Sequence, residues 1–235
     1  MTIPFFYKEN LDPADTEVVL DEDTSKHIVQ VLRMQNKEQL QLTNGKGNLV
    51  TTEITDNNRK KCAVRVLKNE HITRPSNKIT LAISLVKNNN RFEWFLEKAT
   101  EIGVTTIVPL ICERTEKTLF KTDRMKSILV SAMLQSQQSW LPILQEPIKF
   151  LSFVNQVDVA NKFIAHCENM DAKVQLIRYL PFTDSIILIG PEGDFSSDEI
   201  SVALQNNFHP VALGNTRLRT ETAGVVAATL LAMAE

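Results

Sequence analysis

The chain is short of several things, and each shortage excludes something. Three cysteines, Cys62, Cys112 and Cys167, are scattered through 235 residues with no CxxC pair. Neither a disulfide framework nor a zinc cluster has the ligands it needs, and no other metal-ligand constellation stands out. A reducing, cytoplasmic setting without a metal is the expectation. Neither sign of charge dominates, with 26 basic residues against 28 acidic and a net charge of −2. A nucleic-acid partner would therefore have to be met by local charge, not by a basic tail or an all-basic domain. The opening MTIPFFYKEN lacks a basic stretch followed by an apolar one, and the apolar tract 222–234 falls well short of the roughly 20 residues of a membrane span. A soluble protein with no membrane partner is expected. Glycine is scarce as well, and four of the 7, Gly190, Gly193, Gly214 and Gly224, crowd into the final fifth of the chain.

What is present suffices for a real core: 43% hydrophobic and 23% charged residues is an ordinary globular balance for one large or two small domains. HITRPSNK, residues 71–78, interrupts two differently patterned regions and places a boundary near residue 74, giving domains 1–74 and 75–235. In the first, 38–43 and 48–55 read as strands flanking the turn NGKG at 44–47, a hairpin, and 62–67 as a third strand. This half reads as a small β-barrel. Its charge is uneven: residues 1–23 hold one basic and seven acidic side chains, residues 24–74 ten basic and four acidic. Lys26 and Arg33 bracket a short helix, TSKHIVQVLRM, while Arg59, Lys60, Lys61, Arg65 and Lys68 sit on or beside the third strand. Such a stretch is either solvated surface or a track for a phosphate backbone.

After the seam, apolar strands alternate with amphipathic helices, the pattern of an α/β layer with a largely parallel sheet. Strands are expected at 79–86, 105–111, 163–166, 186–189 and 210–213. A helix carries Phe92, Phe95, Leu96, Ala99 and Ile102 at helical spacing up to Gly103, a left-handed cap. Another spans 123–136. Loops after strands are where such sheets place ligands, and two stand out. IILIGPEGDFSSDE, residues 186–199, is a strand, a Gly-Pro-Glu-Gly turn and a helix opened by the capping box Ser196/Glu199. It lacks the GxGxxG of a dinucleotide fold. ALGNTRLRTETAGVVAATLLAMAE, 212–235, is a strand, a loop with Arg217 and Arg219, and a helix capped by Thr220 with Glu221 in its first turn. That helix carries no charge over 222–234, so it is buried against its own domain or against a second subunit. Arg219 and Glu221 read equally as a helix-end ion pair.

Taken in order, HIVQVLR (27–33), KATEIGVTTIVPL (98–110), LIGPEGDF (188–195) and LGNTRLRTETA (213–223) resemble the RsmE family of ribosomal RNA uridine N3-methyltransferases. The resemblance spans nearly the whole chain. It implies membership of the SPOUT superfamily: a SPOUT-type knotted (trefoil) α/β methyltransferase domain preceded by a small PUA-like RNA-binding β-barrel. It implies S-adenosylmethionine as cofactor, 16S ribosomal RNA or the small ribosomal subunit as partner, and a homodimer through the C-terminal domain. The cofactor would lie among three knot loops at 165–168, 188–193 and 213–220, touching His166, Leu188, Ile189, Gly190, Glu192, Gly193, Leu213, Gly214, Leu218 and Thr220. The family pattern is departed from at Gln138, Asp194 and Thr216, which bears on RNA contacts more than on cofactor binding, since the loop glycines and RTET are intact.

Methylation at a uridine N3 requires loss of the imide proton and stabilisation of the charge that spreads onto O2 and O4. It also requires a base that is unpaired or flipped out, because N3 lies on the pairing edge. Arg219 is expected to offset the charge, and Glu221 to take the proton or orient the group that does, with Glu192 the competing carboxylate. Lys26, Arg33 and Arg65 on the first domain and Lys87, Arg91 and Arg114 on the second are the expected RNA contacts. Two alternatives stay open: a non-catalytic RNA-binding or ribosome-assembly protein of the same fold, and a knotted methyltransferase acting on tRNA.

Overall fold

The computed structural model describes residues 3–12, 14–168, 173–179 and 183–233. The chain forms two compact units, Met1–Arg74 together with Met133–Leu141, and Pro75–Ala132 together with Pro142–Glu235.

The first unit holds β1 (Phe5–Tyr7), β2 (Glu17–Val19), α1 (Glu22–Lys26), β3 (Gln39–Thr43), β4 (Asn48–Asp56) and β5 (Ala63–His71) in one sheet of order β1-β3-β4-β5-β2. β3 and β4 pair antiparallel around the NGKG turn, Leu42 opposite Val50, and Gly45 and Gly47 supply the positive φ angles (70° and 86°) that the turn requires. Alternation along the strands turns Leu40, Leu42, Val50, Ile54 and Val64 onto one face, where they close over Ile28 and Cys62. The expected barrel is corrected to a curled, open sheet. Its end strands, β1 and β2, are three residues each and do not pair with one another. The expected single helix at HIVQV is also different. Asp21 caps α1 by accepting the Thr24 N–H, but His27–Val31 then widens into a π-helical turn that leaves Val31 and Leu32 exposed and Arg33 left-handed at φ 57°.

The second unit runs β6 (Ile79–Ser84), α2 (Asn89–Ile102), β7 (Thr106–Ile111), α3 (Thr122–Gln135), β8 (Ile143–Leu144), β9 (Ile148–Lys149), α4 (Phe150–Val154), β10 (Asn161–Ala165), β11 (Val174–Gln175), β12 (Ser185–Ile189), α5 (Ser197–Gln205), β13 (His209–Ala212) and α6 (Thr220–Ala232). The last residues of α3 belong to the Met133–Leu141 segment of the first unit. Ala234, at the end of the expected apolar tract, lies outside the described residues. The strands form one sheet of order β11-β13-β10-β12-β6-β7-β8, with β9 also on β7, and every pairing is parallel. All five residues of β12 are buried, as a central strand covered on both faces demands. On one face Ile186 and Leu188 meet Phe150, Phe153, Phe195 and Ile200 from α4, α5 and the loop before α5. On the other, α6 packs on α2 and β6 closely enough that a Cβ on Gly224 would stand 2.6 Å from Phe95 and 2.8 Å from Ile83.

The expectation of a SPOUT-type trefoil knot is corrected here. An all-parallel sheet with β12 and β6 at its centre and helices on both faces is a Rossmann-like α/β layer. Threading is rare enough that family likeness alone does not carry it.

Candidate functional site

In a parallel sheet the loops that follow the strands collect at one edge. Here the loops after β10, β12 and β13 enclose a cleft of about 760 Å³. Its walls are Ala165–Cys167 and Lys173, Ile189–Glu192 and Asp194, and the loop after β13 up to Thr220 and Ala223.

The loop after β12 is a tight turn closed by the Asp194 N–H on the Pro191 carbonyl, 3.0 Å. A Cβ on Gly190 would meet the ring and main-chain nitrogen of Phe195 at 3.1 Å, so this position is open only to glycine without a shift of Phe195. Below the turn, Ser196 and Glu199 form the expected capping box. Glu199 also accepts the Glu113 N–H at 2.9 Å, tying the loop after β7 to α5. Arg114 then donates to the carbonyls of Gly193 (2.7 Å) and Phe195 (3.3 Å).

The loop after β13 enters at Gly214, φ 149°. Among the described residues the main chain of 214–218 makes no hydrogen bond, which leaves its N–H and C=O groups to a ligand. Thr220 is not the cap of α6. Arg219 holds that place without a side-chain bond, and the Thr220 hydroxyl instead donates to the Gly190 carbonyl at 2.9 Å, locking two walls of the cleft together.

The third wall carries His166, a buried imidazole neither of whose ring nitrogens has a partner. Burial, reinforced by Lys173, holds its pKa below the ordinary value. Lys173 donates to the carbonyls of His166 (2.6 Å) and Glu168 (2.7 Å). Asp194 ties this loop to the turn after β12, its carboxylate accepting the N–H groups of Cys167 (2.7 Å) and Phe195 (2.9 Å). The departure at position 194 thus lies in the cleft wall itself. Cys167 and Arg217 fall inside the expected loops without having been expected at the cofactor, whereas the place of Lys173 in the wall depends on loop closure and carries no local signal.

Of the residues expected at the cofactor, His166, Ile189, Gly190, Glu192, Leu213, Gly214, Leu218 and Thr220 line the cleft. Leu188 is fully buried in the core beneath it, and Gly193 lies against Arg114 outside the wall. Arg219 lines the cleft and is exposed, whereas Glu221 does not line it. The Glu221 side chain is 8% exposed, with Oε1 3.7 Å from Arg91 Nε and Oε2 without a partner. The expected RNA contacts are mostly engaged. Lys26 pairs with Glu22, Arg65 with Glu53 and Lys87 with Glu116, at 2.9, 2.9 and 2.8 Å, while the Arg33 guanidinium is exposed. Among the described residues no group of three or more metal-ligating side chains lies together and no helix is long and apolar enough to cross a membrane.

Comparison with known proteins agrees with this architecture. A family model described as an RNA methyltransferase domain matches residues 73–232, and one described as an RNA methyltransferase PUA domain matches residues 20–67. The chain is 30% identical to a ribosomal RNA small subunit methyltransferase E from Synechocystis sp., over 86% of this chain and 68% of that protein. A probable rRNA-methyltransferase from Porphyromonas gingivalis superposes with a TM-score of 0.89 at 37% identity, covering 96% of this chain and 95% of the other. A putative methyltransferase from Legionella pneumophila, solved in complex with bound SAM, superposes with a TM-score of 0.86 at 30% identity, covering 98% and 97%. With a family model over most of its length and relatives matched end to end, the chain belongs to the ribosomal RNA small subunit methyltransferase E family.

Proposed function

We propose that this protein transfers the methyl group of S-adenosylmethionine to N3 of a specific uridine in 16S ribosomal RNA of the small subunit. The observation that carries the reading is the cleft at the strand ends of a family member, shaped as a small, charged, partly apolar cofactor needs. Gly214 opens the backbone to close approach and Gly190 lets Phe195 close under the turn, the loop after β13 offers main-chain donors and acceptors, and the buried imidazole of His166 has both nitrogens to spare. His166, Ile189, Gly190, Leu213, Gly214, Leu218 and Thr220 hold the cofactor on this reading, and Glu192 stands beside them in the wall.

The cofactor supplies an activated methyl group, and the chain must hold donor and acceptor in line. Arg219, exposed on the wall, stands where it can offset charge on the uridine oxygens. Exposed ion pairs are worth only about 0–1 kcal/mol, so Lys26, Arg65 and Lys87 can exchange their carboxylates for phosphates, and Arg33 is ready to bind. Arg114 and Arg91 are already committed to loop carbonyls and to Glu221; their part is to hold the site. The reading includes a homodimer through the second unit, supported by the incomplete burial of Val225, Val226 and Leu230 and the 75% exposure of Met233 along α6.

The test is calorimetric titration of the purified protein with S-adenosylmethionine, then methyl transfer to small ribosomal subunits lacking base modifications, with nucleoside analysis of the product. Cofactor binding with formation of 3-methyluridine is expected; no binding, or methyl transfer to any other position, removes the reading.

A further inference from the structure

We infer that Glu192 is the catalytic residue that takes the proton from the acceptor base. The inference rests on the methyl-transfer reading above and adds to it the group that makes the acceptor nucleophilic.

A general base must stand in the cleft wall, with its carboxylate held but one oxygen uncommitted. The carboxylates around the cleft separate on these terms. Asp194 lines the wall, but both its oxygens already accept main-chain N–H bonds. Glu168 accepts the Ser197 hydroxyl at 2.9 Å and lies outside the wall, and Glu116 is paired with Lys87. Glu221 is enclosed between helices beside Arg91 and does not face the cleft. Glu192 differs from all four. It lines the cleft and is exposed. It occupies the second position of the turn closed by Asp194 on Pro191, so its backbone is fixed at the end of the central strand β12. Its Oε1 accepts the Lys87 N–H at 3.0 Å, which anchors the carboxylate, and among the described residues Oε2 accepts nothing.

The step balances without another reactant. The N3–H bond breaks as its proton passes to Oε2 of Glu192, and a bond forms from N3 to the methyl carbon. The carbon–sulfur bond breaks with its electron pair going to sulfur, and the neutral thioether leaves. Arg219, in the same wall, faces the charge that builds on the base.

The test compares wild type, Glu192→Gln and Glu221→Gln on unmodified small subunits, with cofactor binding measured on each. Glutamine can still accept the Lys87 N–H, so the turn is kept while the basicity goes. The Glu192→Gln protein is expected to bind S-adenosylmethionine within about twofold of wild type but to transfer methyl groups at least about 10²-fold more slowly at neutral pH. Its rate should climb about tenfold per pH unit, because the acceptor must then ionise in solution. The charged groups sharing the site do not produce such a slope. Lys87 pairs with Glu116, which raises its ammonium above the ordinary value, and Arg217 and Arg219 complete the charged wall. His166 titrates below its ordinary value and Cys167 above its own, each chiefly through burial, while Lys173 stays tied to carbonyls and Asp194 to N–H groups. Transfer by Glu192→Gln within a few-fold of wild type, or its loss together with cofactor binding, overturns the assignment, as does a selective loss in Glu221→Gln alone. A wild-type protein that makes no 3-methyluridine fails the functional reading itself and takes this assignment with it.

Discussion

His166 and Asp194 show how single side chains shape the cleft. An imidazole buried without a hydrogen bond costs about 1–3 kcal/mol relative to one that is satisfied, so a partner for either ring nitrogen of His166 recovers that free energy. Its protonated form is disfavoured by burial and by Lys173, and its pKa lies below the ordinary 6.5. The unfolded chain therefore binds the proton at higher pH than the folded one. The stability tied to this group is complete above 6.5 and is lost as pH falls through the folded value. Denaturant titrations of the cofactor-free protein are expected to show an acid-side loss of stability beginning near pH 6.5, and His166→Leu to flatten its upper part. An unchanged acid limb in the variant would assign the loss to other groups. Asp194 works in the opposite sense. Its φ of 65° is uncomfortable for a residue with a side chain, yet its carboxylate gathers two N–H groups from two walls, and those charge-assisted bonds offset the backbone strain.

Among the elements, α6 links the fold to the site. It starts at Thr220, whose hydroxyl holds the Gly190 carbonyl, and it rests on α2 and β6 at Gly224. Alanine is the better helix former by about 1 kcal/mol, but a methyl group 2.6 Å from Phe95 forces repacking that costs about 1–3 kcal/mol. Gly224→Ala is therefore expected to destabilise the protein by about 1 kcal/mol net in urea denaturation, and to weaken cofactor binding as the helix start shifts; a gain in stability would show that the helix backs away freely. Legibility in the sequence follows element length. The β3–β4 hairpin, the alternation of β6, α2, β7, β10, β12 and β13, the Gly103 cap and the Ser196 capping box are all long or chemically marked enough to read. β1, β2, β8, β9 and β11, of two or three residues each, are too short to show a period and exist because neighbouring strands offer them hydrogen bonds. Two of the three cleft loops were legible, the one after β12 through its glycines and the one after β13 through Gly214, Arg217 and Arg219, whereas 165–168 holds neither residue type and was expected only from the family resemblance. The bonds that hold them, Thr220 to Gly190, Asp194 to Cys167 and Lys87 to Glu192, join residues distant in sequence and leave no mark in any local pattern.

At the scale of the whole molecule, chain order and unit do not coincide. The change of pattern at 71–78 is visible in the sequence, but nothing in QSQQSW announces that Met133–Leu141 belongs with the first unit. The segment is bound there by main-chain bonds from Gly47 N–H to the Ser139 carbonyl (2.9 Å) and from Leu141 N–H to the Gly45 carbonyl (2.8 Å). Trp140 completes the attachment. Its indole N–H donates to the Ile72 carbonyl at 2.9 Å, His71 meets its ring edge to face, and the Arg74 guanidinium lies 5.0 Å over it. Gly47 is the position that admits the ring, since a Cβ there would stand 2.5 Å from the indole. With its ring contacted in this way, Trp140 is a fastener and not a platform for a stacked base. Removing it takes away the hydrogen bond, the cation–π contact of about 0.5–1 kcal/mol and the packing of a large ring. Trp140→Ala is accordingly expected to destabilise the first unit by about 2–4 kcal/mol, seen as faster hydrogen exchange at the Gly47 and Leu141 amides. Cofactor affinity should stay within about twofold of wild type, because every residue lining the cleft belongs to the second unit. Unaltered exchange at those amides would mean that the main-chain bonds alone hold the segment, while loss of cofactor binding would mean that the two units fold as one cooperative block.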